Sequence, residues 1–335
     1  MRTNVARRAI SGVAALIFLV GCSSGSSSLA PAGGSPSSTQ SVNRHGPMRI
    51  LPGPKVAGPI IVPLFPRPTV PSPDHYTKPR TLFVSDIQNN QVLMYDPTVT
   101  NPTAEGSITD GLNAPVGVAT DLAENIYVAN LGNNTVTVYP AGSTSPSLTI
   151  NSGLSGPYGI AVDSTGIVYV TNLNNNSVTA YEPGATSPFE TIQFSAGQAI
   201  GLAVDNDNNL YVSSDASNQV FEVPAGSTTP HDLGLTGLQG PIGIAFRNQG
   251  TLYVSNFAGN NVTVYKSGST SPDFTFNTGL NGPTLSGFAR HSVFFQSNQN
   301  NSTVQGFEKN QSSPFSTITG IVQPLGVTAT PRQHP

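Results

Sequence analysis

The sequence predicts an all-β protein: a six-bladed β-propeller with four-stranded blades, the first blade closed by the C-terminal strand, on a disordered N-terminal tether. Three observations carry this. An aromatic anchor inside a short β-run recurs at Phe83, Tyr127, Tyr169, Tyr211, Tyr253 and Phe295, first 44 and then repeatedly 42 residues apart. Each unit contains four short β-runs separated by turn residues, and a period of about 40 to 45 residues with four strands is the pattern of propeller blades. The first unit lacks its opening strand, whereas the chain ends with an orphan of that type, Pro324-Leu325-Gly326-Val327-Thr328. Pairing the two closes a ring of six and removes the exposed edges.

From the N-terminus, Arg2, Arg7 and Arg8 precede an apolar run from Ala9 to Val20, which fits a secretory signal over residues 1–21 and is too short to cross a bilayer as a helix. Leu19-Val20-Gly21-Cys22 follows, with the single Cys of the chain in a lipobox-like setting, so Cys22 is expected to be lipidated. Acyl chains bury at about 0.8 kcal/mol per methylene, and two or three anchor a protein stably. With that thiol used, no disulfide, Cys nucleophile or Cys-based metal site is expected.

Residues 22–80 begin rich in Ser, Gly and Ala and become Pro-rich, as in Leu51-Pro52-Gly53-Pro54. Such sequence buries too little apolar surface to order itself and favours extended geometry, so it reads as a disordered linker. At about 3.1 Å per residue it reaches on the order of 150 Å when extended. The propeller is assigned to residues 81–330 and a short tail to 331–335. Within 81–330, sixteen acids face Arg247, Lys266, Arg290 and Lys309, a net charge of −12. A surface this acidic repels phosphate backbones, so nucleic acid is not an expected partner.

Within one unit the runs are Gly159-Ile160-Ala161-Val162, Val168-Tyr169-Val170-Thr171, Ser177-Val178-Thr179-Ala180-Tyr181 and Phe189-Glu190-Thr191-Ile192. Asn and Gly in the connections tolerate positive φ at hairpin turns, and Pro withholds a ladder donor at strand ends. Nine residues after each anchor stands a Val, from Val92 to Val304. Twelve after it stand Tyr95, Tyr139, Tyr181, Val223, Tyr265 and Phe307.

Pro157-Tyr158-Gly159-Ile160-Ala161-Val162-Asp163, Tyr169-Val170-Thr171-Asn172, Pro115-Val116-Gly117-Val118-Ala119 and Tyr127-Val128-Ala129-Asn130-Leu131-Gly132-Asn133-Asn134 resemble the NHL-repeat and YVTN-type six-bladed propellers. The resemblance covers about 250 residues. It implies the fold; the superfamily spans adhesive scaffolds, protein-binding domains, lyases and lactonases, so it implies no single activity.

Antiparallel order puts the loops after the second and fourth strands of each blade on one face, the top, where related propellers have the channel mouth. A polar ring three residues after each anchor, Asp86, Asn130, Asn172, Ser214, Asn256 and Asn298, has two readings. It can bind a sugar or small polar ligand, or it can end strands and start turns; recurrence in nearly every blade favours the second. Asn90, Asn134, Asn176, Asn218 and Asn260 read as turn formers.

The resemblance to gluconolactonase-like and virginiamycin B lyase-like propellers implies a metal at the channel. The innermost runs, which on the repeat are Gly117-Val118-Ala119, Gly159-Ile160-Ala161, Gly201-Leu202-Ala203, Gly243-Ile244-Ala245, Gly287-Phe288-Ala289 and Gly326-Val327-Thr328, bring no carboxylate or imidazole to it. His231 and His291 show no metal-site spacing with the acids. Asp121, Asp163, Asp205 and Asp207 fall in turns on the opposite face and read as solvated; the last two lack the Gly and distal Glu of an EF-hand loop. Arg290-His291-Ser292, where the sixth blade departs from the repeat, reads as a surface turn.

The expected function is a lipid-anchored, extracytoplasmic propeller, monomeric and without cofactor or catalytic residue, displaying a surface for an envelope protein or glycan at the outer membrane or cell surface. The alternative is a metal-dependent propeller enzyme of the lactonase or lyase type.

Overall fold

A computed structural model describes residues 80–330 apart from 196, 248, 249 and 290–292. Cys22, the signal and linker segments up to residue 79, Arg290-His291-Ser292 and the tail 331–335 lie outside the described residues.

Twenty-four strands form six four-stranded antiparallel sheets. Blade one holds β1 (Leu82–Asp86), β2 (Gln91–Tyr95) and β3 (Gly106–Ile108). Blade two holds β4 (Pro115–Thr120), β5 (Ile126–Asn130), β6 (Thr135–Tyr139) and β7 (Leu148–Ile150); blade three holds β8 (Pro157–Val162), β9 (Val168–Asn172), β10 (Ser177–Tyr181) and β11 (Glu190–Gln193). Blade four holds β12 (Leu202–Val204), β13 (Leu210–Ser214), β14 (Gln219–Val223) and β15 (His231–Asp232); blade five holds β16 (Pro241–Arg247), β17 (Thr251–Asn256), β18 (Asn261–Tyr265) and β19 (Phe274–Phe276). Blade six holds β20 (Pro283–Phe288), β21 (Phe294–Asn298), β22 (Thr303–Phe307) and β23 (Ser316–Ile318). The last strand, β24 (Pro324–Ala329), pairs antiparallel with β1 and completes blade one. The strands β4, β8, β12, β16, β20 and β24 touch one another in a closed circuit, so they line the axis.

The 42-residue period follows from how blades stack. Each anchor enters an apolar core shared with the following blade: Phe83 packs with Ile126 and Val128, Tyr127 with Val168 and Val170, and Phe295 with Val84 and Val327. The valine nine residues on joins the same core, whereas the aromatic twelve residues on turns to the preceding blade, as Tyr139 does beside Phe83. Both faces of each sheet are therefore covered, and a strand such as β5 is buried at every position. Tyr139, Tyr181 and Tyr265 also donate their hydroxyls to the carbonyls of Asp110, Ser152 and Thr236, in the linkers entering their blades.

At the axis the inner strands approach backbone to backbone. A methyl group on Gly117, Gly159, Gly201, Gly243 or Gly326 would lie within 2.6 Å of the carbonyl oxygen of Tyr158, Ile200, Ile242, Thr284 or Val116 respectively, one blade further on. The register slips at this point in five blades, as between Pro157 and Ile160 against β9. Such a bulge re-aims a side chain. Hydroxyls of the second strands bridge the approach. Thr171 Oγ1 accepts the Gly159 N–H at 2.7 Å and donates to the Ile200 carbonyl at 2.6 Å; Ser213 and Ser85 do the same for Gly201 and Ile242, and for Gly326 and Val116.

Blade six corrects the sequence alignment by two residues. Gly287 pairs with the anchor Phe295, which is the place of Ala161 opposite Tyr169, so Leu285 and not Gly287 stands at the inner glycine position. The polar bridge is rewired to match. Gln296, in place of a valine, accepts from Ser255 and donates to the Thr284 carbonyl, and Thr284 donates to the Leu325 carbonyl.

Gly159→Ala is expected to destabilise the ring by about 3 kcal/mol, the upper end of overpacking, because its methyl meets backbone and not a flexible side chain. Denaturant unfolding beside Gly106→Ala, where φ is not positive and the added methyl meets only the flexible end of Met94, checks this: comparable losses would refute the close-approach argument.

Candidate functional site

The top face is built from the second-to-third strand turns and the loops that enter each inner strand. The polar ring lies beneath this surface: Asp86, Asn130, Asn172, Ser214, Asn256 and Asn298 are each at most 1% exposed. In blade three the Asn172 Oδ1 accepts the Ser155 N–H at 2.8 Å, and its Nδ2 donates to the Val170 carbonyl and to Thr179 Oγ1. Asn130 and Asn256 repeat this with Asn113 and Thr137, and with Gln239 and Thr263; Asn298 uses Asn281 and Gln305. In these four blades the ring therefore ties the entry loop to the second and third strands. Where the amide is replaced, its partner changes too: blade four has Ser214 with Phe221, and blade one Asp86 with Leu93. Asp86 accepts from Asn89, Gln91 and the Val322 and Gln323 N–H groups, and so holds the approach to β24.

The turn asparagines do more than turn. Asn90, Asn134, Asn176, Asn218 and Asn260 have φ of 50 to 55°, and Ser302 takes the same place at 58°. The Oδ1 atoms of Asn90, Asn134, Asn218 and Asn260 also accept the backbone N–H of Ala114, Gly156, Gly240 and Gly282 at 2.6 to 2.7 Å. Those donors belong to the next blade, so these four turns latch their neighbours.

Inside these two rings the axis is closed by an apolar disc. Val116, Tyr158, Ile200, Ile242, Leu285 and Leu325 converge from the six inner strands, joined by Ile87, and Leu131, Leu173 and Phe257 pack against them. Two groups in this region lack partners: the buried Tyr158 hydroxyl and the buried Oδ1 of Asp215. Burial pushes the Tyr158 hydroxyl upward, with the Asp215 carboxylate adding to it; desolvation likewise raises the Asp215 carboxyl. Asp215 was legible as the one acid four residues after an anchor, where Ile87, Leu131, Leu173 and Phe257 stand in other blades.

On the opposite face the aspartates are structural acceptors. Asp163, read as solvated, is only 6% exposed. It accepts the N–H groups of Thr165 and Ile167 and the hydroxyl of the anchor Tyr169. Asp121 and Asp205 accept in the same way from Tyr127 and Tyr211, and Arg247 donates to Tyr253 where blade five has no acid. Asp207 donates its N–H to Asp205 within the turn, and His231 is exposed in β15. Among the described residues no three of His, Cys, Asp and Glu come together as a metal-binding group.

No protein-family model matches the sequence, and no curated protein matches it. Among solved structures, a chain of a nidogen/laminin complex is similar to 76% of this chain over its own entire length, with a TM-score of 0.65 at 15% identity. At that identity the likeness carries the propeller fold alone; 1411 solved chains match in this way, which marks a widespread architecture.

Asn134→Gly keeps the positive φ and removes the latch, so a loss of about 1 kcal/mol is expected; Asn134→Ala adds backbone strain and should lose about 2 kcal/mol. Equal melting temperatures for wild type and both variants would refute the latch. Burial, then the neighbouring aspartate, raises Tyr95 and Tyr169 from 10.0 to about 12. The folded state holds these protons more tightly, so the stability they contribute is complete below pH 10 and lost as pH rises towards 12. Melting curves with tyrosinate absorbance across that window check the sign.

Proposed function

We propose that this chain is a lipid-anchored, extracytoplasmic binding or scaffold module of the NHL/YVTN-propeller type, with the top face as its recognition surface for an envelope protein. The observation that carries this reading is the closed top. The repeated Asn side chains are engaged within their blades and with the next one, and the axial opening is filled by an apolar disc, which leaves a surface and not a channel lined by reactive groups. Shape and charge on such a face serve recognition. A propeller chain solved in a complex of nidogen and laminin lends analogy for protein partners, no more. The basic n-region, short apolar run and Cys22 support export and lipidation, and the Pro-rich linker suits a stalk that holds the propeller off the lipid surface.

Detergent-phase partition and mass spectrometry of the mature chain test the anchor. Wild type is expected in the detergent phase with an acylated N-terminal Cys22, and Cys22→Ser in the aqueous phase. An unmodified Cys22 in both would overturn the anchor. Cross-linking in envelope extracts, with recovery of one reproducible protein through top-face positions, tests the binding reading; cross-links scattered over all faces would overturn it.

A further inference from the structure

Blade six departs from the repeat where the chain enters its inner strand on the top face. In four blades the residue at this entry, Asn113, Ser155, Gln239 or Asn281, gives its N–H to the ring asparagine of its own blade. The residue after it, Ala114, Gly156, Gly240 or Gly282, gives its N–H to the turn asparagine of the preceding blade. Only in blade six do the two positions read Asn-Gly, and Asn281-Gly282 is the single Asn-Gly of the chain. That pair has a chemistry of its own. With no Cβ beside it, a glycine nitrogen is the least hindered of backbone nitrogens in attacking the side-chain amide carbon of a preceding asparagine.

Asn281 is exposed, whereas Gly282 is buried. The backbone of both is held at each polar group. The Gly282 N–H donates to Asn260 Oδ1 at 2.7 Å, and its carbonyl accepts the Gln299 N–H at 3.0 Å. The Asn281 N–H donates to Asn298 Oδ1 at 3.3 Å, and its carbonyl accepts the Asn300 N–H at 3.2 Å. The latch from blade five therefore occupies the one nitrogen that ring closure needs.

We propose that Asn281 is a site of spontaneous deamidation whose rate is set by the Asn260 latch. When the latch opens, hydroxide removes the Gly282 amide proton and the nitrogen forms a bond to the Asn281 side-chain carbon. The bond from that carbon to the amide nitrogen breaks, and the departing nitrogen takes up a proton from water and leaves as ammonia. One water molecule then opens the succinimide at either carbonyl, giving aspartate or isoaspartate at position 281; nothing is oxidised or reduced. Either product puts a carboxylate on an exposed point of the top face, in an entry loop, 277–283, that carries no charge. Isoaspartate also lengthens the main chain by one carbon, which shifts the Gly282 N–H away from Asn260 Oδ1 and prevents the latch from re-forming. The chemistry is independent of the binding-module reading, although the new charge falls on the surface that reading assigns to recognition.

The test is peptide mapping of the full chain in detergent after incubation in mildly alkaline buffer, with fragmentation that separates aspartate from isoaspartate. Folded wild type is expected to convert Asn281 slowly, and the chain unfolded in urea much faster, because closure of the ring needs the local backbone to open. Asn260→Gly accommodates the φ of 50° and removes the acceptor. It should speed conversion about fivefold or more, the rate equivalent of a hydrogen bond of about 1 kcal/mol. Asn260→Asp keeps an acceptor oxygen and should convert no faster than wild type. Asn134→Gly removes the corresponding latch between blades two and three and should leave Asn281 at the wild-type rate, which separates the local latch from a general loss of stability. Conversion in folded wild type as fast as in urea, no acceleration in Asn260→Gly, or equal acceleration in Asn134→Gly would overturn the proposal.

Discussion

Six inner strands can surround one axis only if their backbones come closer than a side chain allows, and the rest of the molecule is arranged around that approach. Gly117, Gly159, Gly201, Gly243 and Gly326 supply the space. The bulge beside Gly117, Gly159, Gly243 and Gly326 turns the preceding side chain towards the axis, which helps make the apolar disc. The hydroxyls of Ser85, Thr171 and Ser213 then satisfy backbone groups on both sides of the gap, as buried amides require. Blade six shifts the contact along the strand: Leu285 stands at the aligned glycine position, Gly287 makes the close approach to the Val327 carbonyl two residues on, and Thr284 and Gln296 take over the polar bridge.

Stability is consequently shared between blades. Each anchor aromatic packs on the next blade, the third-strand aromatics on the previous one, and turn asparagines accept backbone N–H groups across the same boundary. A repeat that buries its faces only against neighbours cannot stop at an edge. Here the edge is removed by the pairing of β24 with β1 and by Asp86, whose carboxylate accepts from Val322 and Gln323. The asymmetry of the first blade is the chemical mark of closure, a carboxylate where the other blades use an amide or a hydroxyl.

Because most of the repeated polar groups are satisfied internally, the departures from the repeat stand out. Asp215 and Tyr158 are such a departure, as they leave buried polar atoms unpaired in a disc otherwise made of aliphatic and aromatic carbon. The acidic residues at the opposite face, by contrast, are bonded to anchor tyrosines and turn amides and are part of the blade's construction.

The sequence by itself determined the number of blades, their four-strand pattern and the closing strand, because period-2 runs punctuated by Asn, Gly and Pro repeat with little variation over 42 residues. It also displayed the polar ring and the turn asparagines by position. Only the tertiary structure decided what those residues do, since hydrogen bonds between residues such as Asn134 and Gly156, or Thr171 and Ile200, join different blades. The alignment of blade six likewise needed pairing: Gly287 imitates the inner glycine in the chain, and its register opposite Phe295 places it two residues away. Nor was it legible that the Tyr158 hydroxyl and the Asp215 Oδ1 are buried without partners, because burial is set by how the ring converts sequence period into angular position about one axis.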